Sequence, residues 1–269
     1  MCLQAKRDML RDVFLKMNSV AVAFSGGVDS TFLLRTAHDL LGSRVLSVII
    51  RSGFVPKREI DEAVRFVQKE GIEQCIVDVD ERNIAGFSQN LTNRCYLCKL
   101  ALFTQIRHIA QERGIPYIVE GSNADDTHNY RPGMMAAKEL GIESPLQEAG
   151  LTKQEIRQLS REMGLSTWNK PSLACFATRF PYGEEITRER VAMIEAAEQY
   201  LWEAGFGQVR VRFHGGLARI ETDEEGLYRL LSESLRKKID CRLKEIGFKY
   251  VSADLQGYRT GSMDEILEQ

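Results

Sequence analysis

The sequence predicts an α/β protein: a parallel sheet in its first two thirds, then a smaller C-terminal α+β domain. Two observations carry this. Up to about residue 165, short Val- and Ile-rich runs alternate with stretches of helical spacing, the pattern of strands covered by helices on both faces. After a Pro-bearing loop, "NKPSLACFATRFPYGEE", the order changes to helix, two adjacent strands, helix and strand. The boundary is set near 170, giving a first domain over 1–170 and a second over 171–269.

In chain order, the charged N-terminal stretch "QAKRDMLRDVF" reads as a helix, not as a signal peptide. "SVAVAF" (19–24), "RVLSVII" (44–50), "CIVDVD" (75–80) and "YIVEG" (117–121) read as buried strands. Between them, Ile60, Val64 and Val67 keep a helical spacing that stops at Gly71, and "LALFTQIRHIAQERG" is a second such helix ending at Gly114. "TKQEIRQLSREMG" opens with Thr152 and Glu155 at capping-box spacing and closes at Gly164. Beyond the boundary come a helix over 187–204, strands "QVRVRFHG" and "LARIET" joined near Gly215–Gly216, a helix over 224–246 and a strand "FKYVSAD".

Composition narrows the function classes. The 269 residues carry a net charge of −2, so nothing points to bulk attraction for nucleic acid or an anionic membrane. No run approaches the roughly 18 apolar residues of a membrane span. A cytoplasmic location is expected, where the six cysteines stay reduced and clustered thiols more often bind metal or do chemistry.

"AFSGGVDST" (23–31) follows a buried strand and opens a helix, a position where backbone N–H groups and the helix dipole attract anions. Gly26 and Gly27 let the backbone approach oxygens, and Ser25, Ser30 and Thr31 add hydroxyls. Asp29 beside an anion calls for a cation such as Mg²⁺ between them. The Gly-Lys-Ser/Thr ending of a Walker loop is absent. SGGVDS resembles the PP-loop of ATP pyrophosphatases, with their adenine nucleotide alpha hydrolase-like sheet. These enzymes cleave ATP between its α- and β-phosphates to adenylylate a substrate oxygen. "EGSNADD" (120–126) ends a later strand of the same sheet; in the family such segments line the nucleotide pocket, and Asp125 is the residue of interest.

The cysteines need a separate account. Cys95 and Cys98 in "NRCYLCK" admit a zinc half-site, a redox pair or a cluster half-site. No second C-x-x-C completes a zinc site, and "FSQNLTNR" before the pair is not a convincing strand for a thioredoxin-like motif. Together with Cys175 they make three thiolates, which on a [4Fe–4S] cube would leave one iron open. Cys75 and Cys241 read as packed residues.

Taken together, "SGGVDS", "NRCYLCK", "GSNADD", "KPSLACFATRFPYG" and "VRVRFHGGLARIE … FKYVSADLQGYRTGSMDE" resemble the LarE family along nearly the whole chain. These are ATP-dependent sulfur transferases of nickel-pincer nucleotide cofactor synthesis. The resemblance implies adenylylation of a carboxylate of pyridinium-3,5-biscarboxylic acid mononucleotide, pyrophosphate release and replacement by thiocarboxylate. One family form sacrifices a single cysteine sulfur; the other holds a [4Fe–4S] cluster on three cysteines. Cys95, Cys98 and Cys175 match the cluster form, with Cys175 at the reacting centre, which requires the thiols and the phosphate loop to share one cleft. The resemblance further implies that Arg210 and Arg212, two apart on a strand and so on one face, contact the substrate phosphate. Tyr96 would stack on a pyridinium ring or simply pack. Arg179 and Lys170 flank Cys175 and would lower its thiolate pKa or hold anions, or lie at the surface. Glu198 and Glu221 resemble acidic residues placed near a divalent ion, and a homo-oligomer, a hexamer, is implied. The expected cofactors are ATP, Mg²⁺ and the cluster.

Two other readings stay open. A PP-loop tRNA thiolase would need a broad basic surface. A nucleotide-binding iron–sulfur sensor would turn over nothing. A glutamine-dependent amidotransferase shares SGGVDS but leaves three thiols unexplained.

Overall fold

The computed structural model describes residues 1–128, 132–171 and 174–265, so Ser172 and Leu173 of "SLACFATRF" lie outside the described residues. The chain divides into two units: Met1–Ala85 with Asn93–Leu173, and Gly86–Thr92 with Ala174–Gln269. Among the described residues no helix is long and apolar enough to cross a membrane.

In the first unit α1 (Leu3–Met17) leads into β1 (Val20–Phe24), α2 (Val28–Leu41), β2 (Val45–Ser52), α3 (Lys57–Lys69) and β3 (Glu73–Val79). Then come α4 (Arg94–Glu112), β4 (Tyr117–Val119), α5 (Pro132–Glu139), α6 (Pro145–Glu148) and α7 (Lys153–Glu162). The strands are parallel in the order β3-β2-β1-β4. Strand periodicity sorts the side chains to two faces. Val20, Val22 and Phe24 pack with Leu10 and Phe14 of α1, Leu33 of α2, Val67 of α3 and Ile156 of α7. Ala21, Leu46 and Val48 turn the other way, onto Phe103 and Ile106 of α4 and Ala137 of α5. Each fully buried Leu, Val or Phe contributes about 1.5–3 kcal/mol, so both faces hold the sheet.

Connectivity places the ligand crevice. From β1 the chain builds outward to β2 and β3, then returns to add β4 on the other side of β1. The strand order reverses between β1 and β4, and ligands of open α/β sheets settle beyond the carboxyl ends of strands at such a point. The parallel register, Val20 with Tyr117 and Val22 with Val119, brings the segments after both strands side by side.

One boundary differs from the periodicity. α4 begins at Arg94, ahead of the apolar pattern that starts at Leu100, so Cys98 opens its second turn and Cys95 lies in its first. That turn has no apolar stripe to announce it, and its N-cap, Asn93, makes no side-chain capping bond.

In the second unit α8 (Arg188–Glu203) precedes β5 (Val209–His214) and β6 (Leu217–Thr222), an antiparallel pair; β7 (Tyr250–Ala253) adds in parallel to β6. Gly215 and Gly216, both at positive φ (54° and 99°), make the two-residue turn that a right-twisted hairpin favours. The helix expected over 224–246 is two, α9 (Glu224–Leu230) and α10 (Glu233–Ile246), because Ser232 is extended and opens the second. Phe180, Phe213 and Phe248 stack through the core with centroids 5.6 and 5.9 Å apart. The excursion Gly86–Thr92 is tied in by Asn90, whose side-chain amide donates to the carbonyls of Phe180 and Pro181 (3.3 and 2.6 Å).

Candidate functional site

The phosphate loop has the backbone an anion needs. Gly26 stands at φ +72°, a conformation costly for any residue with a Cβ, and a Cβ there would lie 3.0 Å from that of Ala63. Gly27 is the N-cap of α2, so the first N–H groups of that helix point past the loop. The hydroxyls of Ser25 and Ser30 are 3.0 Å apart, and that of Ser30 donates to the Gly27 carbonyl (3.3 Å). From the β4 side, a Cβ on Gly121 would come within 3.1 Å of the Ser30 nitrogen. Glycine is what lets "EGSNADD" close on the loop.

Asp29, in the first turn of α2, is paired with Lys153 Nζ at 2.5 Å. Its carboxyl is pushed above the ordinary range by burial, with Lys153 working against that shift. Among the described residues its Oδ1 is buried with no hydrogen-bond partner, a donor position that fits a divalent cation. Asp125 is exposed, and its Oδ2 accepts from the backbone N–H of Lys153 at 2.8 Å. Asp126 is buried and accepts from the Asn123 N–H at 3.0 Å. Glu120, also buried, accepts from the N–H of Ser122 and the hydroxyl of Ser144, which hardens the segment after β4.

Lys170 lies at the same loop. Its ammonium reaches Glu59 (2.5 Å), Glu62 (2.7 Å) and the Gly26 carbonyl (3.3 Å). This geometry makes Lys170 a tie between α3 and the phosphate loop. A cavity of about 310 Å³ opens on the α3 side, lined by Gly26, Thr31, Arg35, Glu62 and Lys170.

Cys95 is exposed and Cys98 half-buried, three residues apart and so on one face of α4. Both belong to the first unit; Cys175, exposed, belongs to the second. All six cysteines stand as thiols. Among the described residues no group of three or more His, Cys, Asp or Glu side chains is assembled to hold a metal ion. Thiolate sulfur is a ligand for iron, and Cys95 and Cys175 are solvent-exposed rather than packed into a core. Tyr96, between the paired cysteines, donates its hydroxyl to Glu139 at 2.7 Å.

In the second unit the predicted arginines and glutamates meet one another. Arg179 is fully buried and bidentate on Glu198, Nε–Oε1 at 2.8 Å and Nη2–Oε2 at 3.0 Å. It also donates to the carbonyls of Ala174 and Cys175, so it shapes the backbone that carries the thiol. Burial opposes the charge on both members, yet their mutual attraction outweighs it, holding Arg179 above and Glu198 below their ordinary pKa. Glu198 Oε1 further accepts from the Val211 N–H. Arg212 donates to Glu221 (2.6 Å), Ser262 and the Thr178 carbonyl, and Arg219 takes the other Glu221 oxygen. The oxygens of Glu198 and Glu221 that the resemblance offers to a divalent ion are thus engaged by guanidiniums. Arg210, over the Tyr258 ring, is held below its usual pKa by burial and by Arg179 nearby, conditions that an anion would relieve.

Three residues escaped the sequence reading: Lys153, Glu120 and the loop-tying role of Lys170. A signal existed for the first, because a lysine at the opening position of a helix runs against the dipole.

Residues 2–111 match the NAD synthase family. Along 265 residues the chain is 38% identical to an uncharacterized protein of Synechocystis, covering 98% of this chain and 99% of that one. It is 35% identical over 266 residues to the pyridinium-3,5-bisthiocarboxylic acid mononucleotide synthase of Lactiplantibacillus plantarum, covering 98% and 96%. To a glutamine-hydrolyzing GMP synthase chain of Thermococcus kodakarensis the identity is 27% over 198 residues, 68% and 63%. The family match covers only residues 2–111 and the GMP synthase likeness 68% of the chain, whereas the likeness to the bisthiocarboxylic acid synthase covers 98% and so runs through the second unit as well. A glycine loop at the switch point of a parallel sheet, joined to full-length identity of this degree, means that the chain belongs to the LarE family of PP-loop enzymes.

Proposed function

We propose that this protein is an ATP-dependent sulfur transferase acting in the cytoplasm. It would adenylylate a carboxylate of pyridinium-3,5-biscarboxylic acid mononucleotide and convert it to thiocarboxylate. The observation that carries the reading is the phosphate loop between the ends of β1 and β4, on a chain alike along 98% of its length to a named bisthiocarboxylic acid synthase.

A carboxylate resists sulfur because its leaving group would be oxide. Attack of a carboxylate oxygen on the α-phosphorus of ATP forms the acyl adenylate and breaks the α–β bond, releasing pyrophosphate. Sulfur then displaces AMP, leaving thiocarboxylate. Ser25, Gly26, Gly27, Ser30 and Thr31 would hold the phosphates with backbone N–H groups and hydroxyls, and these donors act as negative charge gathers on the departing pyrophosphate. Asp29 would carry Mg²⁺ on its unpartnered oxygen, and Asp125 would border the nucleotide. Arg210 and Arg212 would receive the substrate phosphate. Support comes from Arg212 Nε, buried and without a hydrogen-bond partner among the described residues. Arg179 would fix the Cys175 backbone, and Tyr96 would lie against the pyridinium ring. A [4Fe–4S] cluster on Cys95, Cys98 and Cys175 would present an open iron able to carry a transferable sulfide.

Two assays test this. ATP and the biscarboxylic acid mononucleotide should together yield pyrophosphate, and mass spectrometry should show oxygen replaced by sulfur; pyrophosphate-free incubations would leave a sensor. Anaerobic reconstitution should give about four iron and four sulfide per chain, lost in Cys95→Ala/Cys98→Ala. Iron near zero, with Cys175 converted to dehydroalanine on turnover, would replace the cluster with the sacrificial route.

A further inference from the structure

The short run Gly86–Thr92 belongs to the second unit, although the chain up to Ala85 and from Asn93 to Leu173 belongs to the first. It is built rather than loose: Phe87 is 2% exposed and Asn90 0%. Asn90 takes φ +54°, a left-handed backbone that asparagine tolerates better than most residues with a Cβ. Its N–H donates to the Phe87 carbonyl at 3.0 Å. Its side-chain amide donates to the carbonyls of Phe180 and Pro181, which uses both of its hydrogens. Its own carbonyl accepts from the Gly183 N–H at 3.0 Å, and the Ser88 carbonyl accepts from the Ile186 N–H at 2.9 Å. These bonds join 88–90 to 180–186 within the second unit.

Both joined segments lead directly to thiols. Five residues after Asn90 comes Cys95, with Cys98 on the same face of α4. Five residues before Phe180 comes Cys175, and one tight turn lies between them. In that turn the Thr178 N–H donates to the Cys175 carbonyl (3.0 Å) and the Phe180 N–H to that of Ala177 (3.3 Å). Five residues of chain reach at most ~18 Å, so Cys95 and Cys175 are each on a short leash from the joint.

We propose that Asn90 is a positioning residue for the thiols: by clamping the Cys175 segment to the run that opens α4, it lets Cys95, Cys98 and Cys175 take one thiophilic ion together. This rests on the three-thiol reading given above. Asn90 acts through the backbone, by raising the effective concentration of the third thiol against the first two.

The test uses trivalent arsenic on the reduced full chain, in a Cys2→Ser/Cys241→Ser background that removes the other exposed thiols. Arsenite condenses with three thiols to a trithiolate and three waters, with no change of oxidation state. Phenylarsine oxide condenses with two thiols and releases one water. Native mass spectrometry counts the waters lost, and titration gives the affinity. The parent protein should hold arsenite on three thiols, and its Cys175→Ser variant on two. Asn90→Gly keeps the left-handed backbone but removes the amide donors; it should weaken arsenite binding about tenfold or more, the worth of the two hydrogen bonds. Asn90→Asp, which turns a carboxylate onto the two carbonyls, should do at least as much. Iron bound on anaerobic reconstitution should fall in the same order. Phenylarsine oxide, held by Cys95 and Cys98 on one helix face, should bind within about twofold of the parent in both Asn90 variants, whereas a merely destabilised fold would lose both probes together. Unchanged arsenite affinity in Asn90→Gly overturns the inference alone, and so does a parallel loss of phenylarsine oxide. Failure of the parent protein to engage a third thiol sinks the three-thiol reading and the inference with it.

Discussion

Replacing Glu198 by leucine tests what holds the second unit together. The variant leaves Arg179, 0% exposed, without its bidentate counter-charge, and leaves the Val211 N–H without its acceptor. Breaking one side of a buried pair costs about 3–5 kcal/mol, since the remaining charge keeps its desolvation penalty. A domain of about 100 residues has roughly 5–15 kcal/mol in all. At about 4–8 °C per kcal/mol, the transition should fall by roughly 12 °C or more. Urea unfolding followed by circular dichroism, with thermal melts alongside, measures this. The double variant Arg179→Met/Glu198→Leu should recover the share of the loss due to the stranded charge, because an apolar pair of similar volume needs no desolvation, while the Val211 N–H stays without its acceptor. Chelator should change nothing, as the Glu198 oxygens already accept from Arg179 and Val211. A single-variant loss under about 1 kcal/mol, or a double variant no better than the single, would refute the argument that the pair is buried and mutually dependent.

Gly26→Ala should lose nucleotide binding and destabilise the first unit by about 1–2 kcal/mol, from positive φ with further cost at Ala63; titration with ATP and urea melts check both. His214 should make the protein acid-sensitive. Its pKa is lowered by burial and then by Arg219 and Arg212, with Glu221 opposing. The unfolded chain therefore takes up the proton first as pH falls, so stability is full above the ordinary histidine pKa and declines below it. Melts between pH 8 and about pH 5 should show this fall for wild type and a shallower one for His214→Gln; identical slopes would exclude His214 as the cause.

Much of the fold was legible because its signals are local. The Val and Ile runs fixed the strands, and Thr152 with Glu155 announced α7, whose capping box is complete. Gly215–Gly216 set the hairpin register, which places Arg210 opposite Glu221 and Arg212 opposite Arg219. The phosphate loop could be read for the same reason: a glycine at positive φ between a strand and a helix is a property of a few adjacent residues. The first turn of α4 escaped because neither an apolar stripe nor a capping bond marks it.

What the sequence by itself determined was which segments become strand, helix or glycine turn, and which side chains share a face of each. Only the tertiary structure decided which charges meet. Asp29 is 124 residues from Lys153, and Lys170 is 108 from Glu62. Burial gives those pairings their energy, and burial is set by segments remote along the chain. A charge read in sequence has neighbours in one dimension; its pKa and its partner are fixed by neighbours in three.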